Sequence, residues 1–125
     1  MSTDDAEGST EHWDPVLRPA VDRLLDELTP LAALSRNSDG RPSRLLDLGT
    51  GTGQLALVAL ERRPGIEVVG IDREVAMLEV ARRRSAQRAT TASLSLVECG
   101  AEERQLWALI WTLIDPVSCV SCVSW

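Results

Sequence analysis

The 125-residue sequence contains no phenylalanine, no tyrosine and no lysine. All four aromatic residues are tryptophan, so a core has to be packed from leucine, valine, alanine and isoleucine. Because lysine is missing, all 13 positive charges are arginines, and they face 19 acidic residues to give a net charge of −6. This excess of negative charge disfavours a nucleic-acid partner, because binding to phosphates depends on clustered cations. The one arginine cluster, 82–84, lies at the end of a predicted helix, where cations favour the helix dipole.

Other classes of site and segment are also poorly represented. Three cysteines are an odd number and do not suggest a disulfide framework. Cys119 and Cys122 form a C-x-x-C within a repetitive tail, but no Cys or His nearby could complete a metal site, so none is expected. His12 is the only histidine and has no second base beside it, so no catalytic residue is assigned. The acidic amino terminus is unlike a signal peptide and no apolar run is long enough to span a bilayer, so we expect a cytoplasmic protein without a membrane segment.

Short apolar runs alternate with helical patterns along the chain. Strands are predicted at 44–48, 67–71 and 94–98, and helices at 14–30, 55–63 and 74–84. This alternation predicts βαβ units with right-handed crossovers, and hence an α/β fold: a Rossmann-like three-layer α/β/α parallel sheet. The predicted organisation is a disordered acidic tail at 1–13, a cofactor-binding domain at 14–104 and an atypical tail at 105–125. Residues 106–114 of that tail are suited to a fourth strand.

A glycine-rich turn follows the first predicted strand. Gly49, Gly51 and Gly53 alternate with threonines, which lets the backbone turn with positive φ and leaves no Cβ between the main chain and a ligand. Asp72 ends the second strand, 19 residues after Gly53 (72 − 53), where an acid is placed to accept hydrogen bonds from ribose hydroxyls. These features predict a nucleoside-bearing cofactor. The third glycine comes one residue early for the dinucleotide pattern, yet an NAD(P) site, with Arg73 meeting a 2′-phosphate, stays open as an alternative.

The segments DLGTGTG (47–53) and EVVGIDREVAMLEVARRR (67–84) together resemble the cofactor-binding half of class I S-adenosylmethionine-dependent methyltransferases. The resemblance covers about 44–103. It implies that S-adenosyl-L-methionine is the cofactor, that the three glycines pass under its methionine part, and that Asp72 accepts from both ribose hydroxyls. It also implies that Asp47 fixes the turn or reaches the cofactor's amino group, and that Arg73 covers the adenine edge.

After the third strand the resembled family commonly carries Gly-Asp-Ala, whose acid meets the adenine amino group. Here the sequence is Cys99-Gly100-Ala101-Glu102, so Gly100 stands where that acid belongs and Glu102 is its expected substitute. The cofactor-binding residues that the resemblance implies are Asp47, Gly49, Thr50, Gly51, Gly53, Asp72, Arg73, Ala101 and Glu102.

The resembled enzymes have a seven-stranded sheet, whereas this sequence accounts for three to four strands. We therefore expect an incomplete sheet with its first strand at an open edge. The predicted function is S-adenosylmethionine binding and methyl transfer to an unidentified acceptor by a truncated methyltransferase domain. A catalytically inactive interaction module remains the alternative, as does a half completed by a homo-oligomer or by a partner chain that covers the open edge.

Overall fold

The computed structural model describes residues 1–32, 40–88 and 93–100, together with Arg104 and Ala108. Within them the elements run in the order α1 (Thr3–Ala32), β1 (Arg44–Leu48), α2 (Gln54–Arg62), β2 (Glu67–Asp72), α3 (Val75–Gln87) and β3 (Leu94–Glu98). The predicted fourth strand at 106–114, like Cys119 and Cys122, lies outside the described residues. Within the described ranges, no helix combines the length and apolar character that a membrane span requires.

The three strands form a parallel sheet in the order β1-β2-β3. Asp47 of β1 lies beside Gly70 of β2, and Gly70 lies beside Leu96 of β3. The predicted α/β fold with a parallel sheet is confirmed. Within the described part of the chain, β1 is an edge strand, because it pairs with β2 alone.

Two hydrophobic clusters lie on opposite faces of the sheet, because neighbouring residues of a strand point to opposite sides. Val68 belongs to the first cluster, with α2 and with Leu25 of α1. Val69 and Ile71 belong to the second, with Cys99. The buried residues of the first cluster are Leu25, Ala56, Val58, Ala59, Leu60, Ile66 and Val68. All of them are aliphatic, as expected for a sequence without Phe or Tyr.

Helix α1 begins at Thr3, so the prediction of a disordered tail at 1–13 is wrong. The start is a capping box: the Asp5 amide donates to the Ser2 hydroxyl (3.1 Å) and the Asp5 carboxylate accepts from the Ser2 amide (3.1 Å). Ala6 is fully buried, and Glu7 accepts a hydrogen bond from Arg83 of α3 (2.8 Å). Pro15, near the start of the helix predicted at 14–30, therefore lies in the interior of α1.

Polar contacts also hold α1 against α2. Arg62 donates to Asp22 and to Asp26, at 2.7 Å in each case. Because these pairs are partly exposed, each contributes little to stability, and the burial of Leu25 against α2 contributes more. Together they fix α1 on the face of the sheet that α2 covers.

Gly70 lies at the centre of the sheet beneath the glycine turn. A Cβ at this position would lie 2.8 Å from the Thr50 hydroxyl oxygen and 3.0 Å from a methyl carbon of Leu96. Thr50 is only 6% exposed. The turn therefore packs on β2 with no room for a side chain at Gly70.

The variant Gly70→Ala is expected to lower the free energy of unfolding by about 1–3 kcal/mol, because it overpacks this contact. Gly8→Ala is the matched control, since a Cβ there meets nothing within 4 Å and alanine favours the surrounding helix. Urea unfolding of both variants measures the difference. Equal stability of the two variants would contradict the described packing.

Candidate functional site

The glycine turn joins β1 to α2 in the backbone conformation that the sequence predicted. Gly49, Gly51 and Gly53 have φ angles of +73°, +57° and +83°. Residues with a side chain rarely adopt this left-handed region, so each position favours glycine. Glycine at every second position is thus a requirement of the turn's geometry.

The three glycines differ in what lies above them. At Gly49 and Gly51 an added Cβ would meet nothing within 4 Å, so the space beside the backbone is open. At Gly53 it would lie 3.2 Å from the Cβ of Ala81 in α3. Gly53 therefore allows α2 and α3 to pack closely, whereas Gly49 and Gly51 leave room for a ligand.

Most amides of the turn already have partners within the protein. Those of Gly49 and Thr50 both donate to the carbonyl oxygen of Ile71, at 2.8 and 2.9 Å. The Gly53 amide donates to the Thr50 carbonyl at 2.9 Å. The Gly53 amide is therefore not available to an anionic ligand, because the turn closes on itself at this point.

Asp72 connects the turn to the ends of two other elements. Its carboxylate accepts from the Gly51 amide at one oxygen and from the Glu74 amide, just before α3, at the other, both at 2.9 Å. Its main-chain carbonyl accepts from the Cys99 amide after β3 (3.0 Å). One acidic residue thus holds the turn, the start of α3 and the end of β3 together.

Asp47 lies under the turn, on the strand before it. Its carboxylate accepts a hydrogen bond from the buried Thr50 hydroxyl (2.9 Å). Burial raises the pKa of Asp47 above its ordinary value, the Thr50 hydrogen bond opposes this shift, and the charge of Asp72 adds to it. Of the two roles expected for Asp47, this contact provides the first, that of fixing the turn.

A cleft of about 300 Å³ opens at the carboxyl ends of the strands. Its lining residues are Leu48, Gly49, Ile71, Asp72, Arg73, Cys99 and Gly100. Three of them are predicted cofactor-binding residues: Gly49, Asp72 and Arg73. Sequence reasoning did not assign the apolar residues of the wall, because the end of a strand in the sequence does not reveal which side chains face a cleft.

The other predicted site residues divide into two groups. Asp47, Thr50, Gly51 and Gly53 do not line the cleft; they build the turn beside it. Ala101 and Glu102 lie outside the described residues. Among the side chains that the structure places, no group of three or more His, Cys, Asp or Glu is arranged to hold a metal ion.

Comparison with known proteins identifies the class. Residues 40–108 match the family described as a methyltransferase domain, and this span is more than half of the 125 residues. The chain therefore belongs to this methyltransferase family. The resemblance to class I S-adenosylmethionine-dependent methyltransferases is confirmed.

Individual relatives are similar over parts of their length. Demethylmenaquinone methyltransferase of Thermus thermophilus is 57% identical over 47 residues, which are 38% of this chain and 21% of that protein. Trans-aconitate 2-methyltransferase of Acidovorax ebreus is 39% identical over 74 residues, 58% of this chain and 28% of that protein. The chain thus matches less than a third of the length of either relative.

A solved structure shows the same fold. The crystal structure of a Methanococcus maripaludis protein, described as an S-adenosyl-L-methionine-dependent methyltransferase, superimposes with a TM-score of 0.63. The match has 16% sequence identity and covers 79% of this chain and 42% of that one. At this identity the likeness concerns the fold alone.

Removal of the Asp72 carboxylate tests whether it stabilises the turn and the start of α3. Asp72→Ala leaves the Gly51 and Glu74 amides without their acceptor and is expected to lower the free energy of unfolding by about 1.5–3 kcal/mol. Asp26→Ala is the control, because Asp26 is an exposed acid whose ion pair with Arg62 contributes at most about 1 kcal/mol. Urea unfolding compares them, and a loss no larger for Asp72→Ala than for the control would contradict the assignment.

The raised pKa of Asp47 predicts a pH dependence of stability. The folded state keeps the proton to a higher pH than the unfolded chain, so the stabilising contribution is complete below the ordinary pKa of 3.8 and is lost as pH rises through the folded value. Asp47→Asn cannot titrate and keeps an oxygen acceptor for Thr50. The unfolding free energy of the wild type should therefore fall, relative to the variant, as the pH rises above about 4. If the difference in unfolding free energy between the wild type and Asp47→Asn did not change with pH, the burial of an ionisable Asp47 would be ruled out.

Proposed function

We propose that this chain binds S-adenosyl-L-methionine in the cleft beside the glycine turn and forms the cofactor-binding part of a methyltransferase. The observation that carries the proposal is the position of Asp72, which lines the cleft and whose carboxylate accepts from the Gly51 amide. This bond holds the predicted ribose acceptor and the predicted methionine support in one rigid unit. Family membership supplies the class of reaction.

The turn fits the methionine part of the cofactor through space rather than charge. The open space above Gly49 and Gly51 lets a ligand approach the main chain closely. A side chain at either position would fill part of that space. Gly53, which packs against Ala81, supports the site through the α2–α3 contact.

Asp72 retains capacity for the ribose hydroxyls. An ionised carboxylate offers about four acceptor positions, and the amides of Gly51 and Glu74 occupy two of them. The remaining positions suit two hydroxyl donors. The existing bonds also fix the orientation of the carboxylate, which lowers the entropy cost of binding.

The remaining wall of the cleft suits a flat heterocycle. Leu48, Ile71 and Cys99 supply apolar surface, and Arg73 lies at the same cleft. Gly100 adds no side chain where an acid was expected by resemblance. Recognition of the adenine amino group by Glu102, beside Ala101, therefore remains a prediction.

S-adenosylmethionine, when bound, supplies a methyl group on a sulfonium sulfur; transfer to a nucleophile breaks the C–S bond and leaves the neutral thioether S-adenosylhomocysteine. This displacement depends mainly on alignment of the nucleophile with the methyl group. The residues of this chain that we assign bind and orient the cofactor, and none is assigned to proton transfer. Which groups must align the nucleophile and take up its proton therefore depends on the acceptor.

The hydrogen bonds of the turn disfavour an NAD(P) site. A pyrophosphate binds to backbone amides that are free at a helix amino terminus, whereas the amides of Gly49, Thr50, Gly51 and Gly53 donate within the protein. The methionine part of S-adenosylmethionine, with one carboxylate and a net positive charge, depends less on these amides than a pyrophosphate does. The turn thus supports the sulfonium cofactor over the dinucleotide.

The acceptor is not assigned. The names of the two relatives specify demethylmenaquinone and trans-aconitate, which share little chemistry. The edge position of β1 in the described sheet also favours completion by further chain, either a second copy or a partner. A cofactor-binding half without activity of its own is the second candidate function.

Isothermal titration calorimetry with S-adenosylmethionine and S-adenosylhomocysteine tests the proposal. Both should bind to the wild type, and Gly51→Ala should weaken binding by about tenfold or more, because its Cβ enters the ligand space and its φ is strained. Gly8→Ala, a glycine in α1 with no neighbour within 4 Å, should bind as the wild type does.

Absence of binding to folded wild-type protein would refute the cofactor assignment. Binding of NADP in place of the sulfonium ligand would favour the dinucleotide alternative. Binding of S-adenosylmethionine without methylation of any acceptor tested would support the cofactor site and favour the partner-completed half.

A further inference from the structure

We propose that Arg84 is a positioning residue. By linking Thr52 to helix α1, it holds the glycine turn in the conformation that binds the cofactor. The proposal rests on the proposed cofactor site and adds a residue outside the cleft that controls its affinity. Arg84 lies in the last turn of α3, 32 residues from Thr52 in the sequence. No pattern around the glycines marks it.

The guanidinium group of Arg84 contacts the turn and α1 at the same time. Nη1 donates to the carbonyl oxygen of Thr52 (3.0 Å) and to its hydroxyl (3.1 Å). Nη2 forms an ion pair with the Asp14 carboxylate. The Arg84 side chain is only 14% exposed, so these charge-assisted bonds are weakly screened by solvent.

Thr52 is the residue between the second and third glycines of the turn. A glycine-rich loop has many accessible conformations, and Arg84 restricts this one by fixing the direction of the Thr52 carbonyl. A second bond closes the network, because the Gln54 side chain donates to the Asp14 main-chain carbonyl (2.7 Å). The turn, α1 and α3 are thereby joined on the side of the turn that α1 covers.

Its neighbours in the arginine cluster make different contacts. Arg82 and Arg83 are 50% and 54% exposed, and their ion pairs are with glutamates. The role predicted for all three arginines is a favourable interaction with the helix dipole. That role does not require a buried side chain. Arg84 is distinguished by its bonds to the glycine turn.

Variants of adjacent arginines on the same helix test the inference. Arg84→Ala should raise the dissociation constant for S-adenosylhomocysteine about tenfold in the folded protein, because the turn is no longer held. Arg84→Lys keeps the charge but reaches fewer acceptors and should restore part of the affinity. Arg83→Ala should bind as the wild type does. Thr52→Val, which keeps the carbonyl contact, gives a milder form of the change if Arg84→Ala does not fold.

Hydrogen exchange of the Gly53 amide in the cofactor-free protein provides a readout that needs no ligand. This amide donates to the Thr50 carbonyl inside the turn, and Arg84→Ala, but not Arg83→Ala, should accelerate its exchange about tenfold. If the wild type binds no cofactor, the proposed function fails. The hydrogen exchange of the Gly53 amide then decides by itself whether Arg84 holds the turn. Unchanged exchange in Arg84→Ala, or a loss of affinity equal to that of Arg83→Ala, would overturn the inference.

Discussion

The hydrogen bond from the Gly51 amide to the Asp72 carboxylate is the contact on which the site depends. Because β1 and β2 are parallel, their carboxyl ends meet at one edge of the sheet, and this bond joins the turn after β1 to the last residue of β2. The second carboxylate oxygen holds the Glu74 amide before α3. An acid at the end of a strand is often a solvated loop residue. Asp72 instead supports the turn and also lines the cleft, so structure and proposed binding rest on the same residue.

The hydrogen bonds of the turn also explain why a sulfonium cofactor suits it better than a pyrophosphate. The amides of Gly49, Thr50 and Gly53 donate to main-chain carbonyls, and beneath them the Thr50 hydroxyl donates to Asp47. This internal network stabilises the turn without offering those amides to an anion. What the turn offers is open space above Gly49 and Gly51. The site is thus defined by close approach to the backbone and by a fixed carboxylate.

The sheet and the glycine turn could be predicted from the sequence because their signals are local. β1 and β3 occupy the predicted ranges, since each is a short apolar run with a clear end: Gly49 follows β1, and Glu98 is the last residue of β3. The start of α1 was missed because an acidic, polar stretch resembles a disordered tail; the Ser2–Asp5 capping box was the available signal. The contact between Arg84 and Thr52 could not be predicted, because it joins residues far apart in the sequence. Ala101, Glu102 and the predicted strand at 106–114 lie outside the described residues and stay predictions.

Central to the proposed function is a sulfonium cofactor that lies against the glycine turn and Asp72. Titration of ¹⁵N-labelled protein with S-adenosylhomocysteine, followed by amide chemical shifts, tests this placement at individual residues. We expect the largest shifts at Gly49, Gly51, Asp72 and Arg73, with the amide of Gly8 unchanged. Saturable binding with its largest shifts elsewhere, or no shift at these four amides, would contradict it.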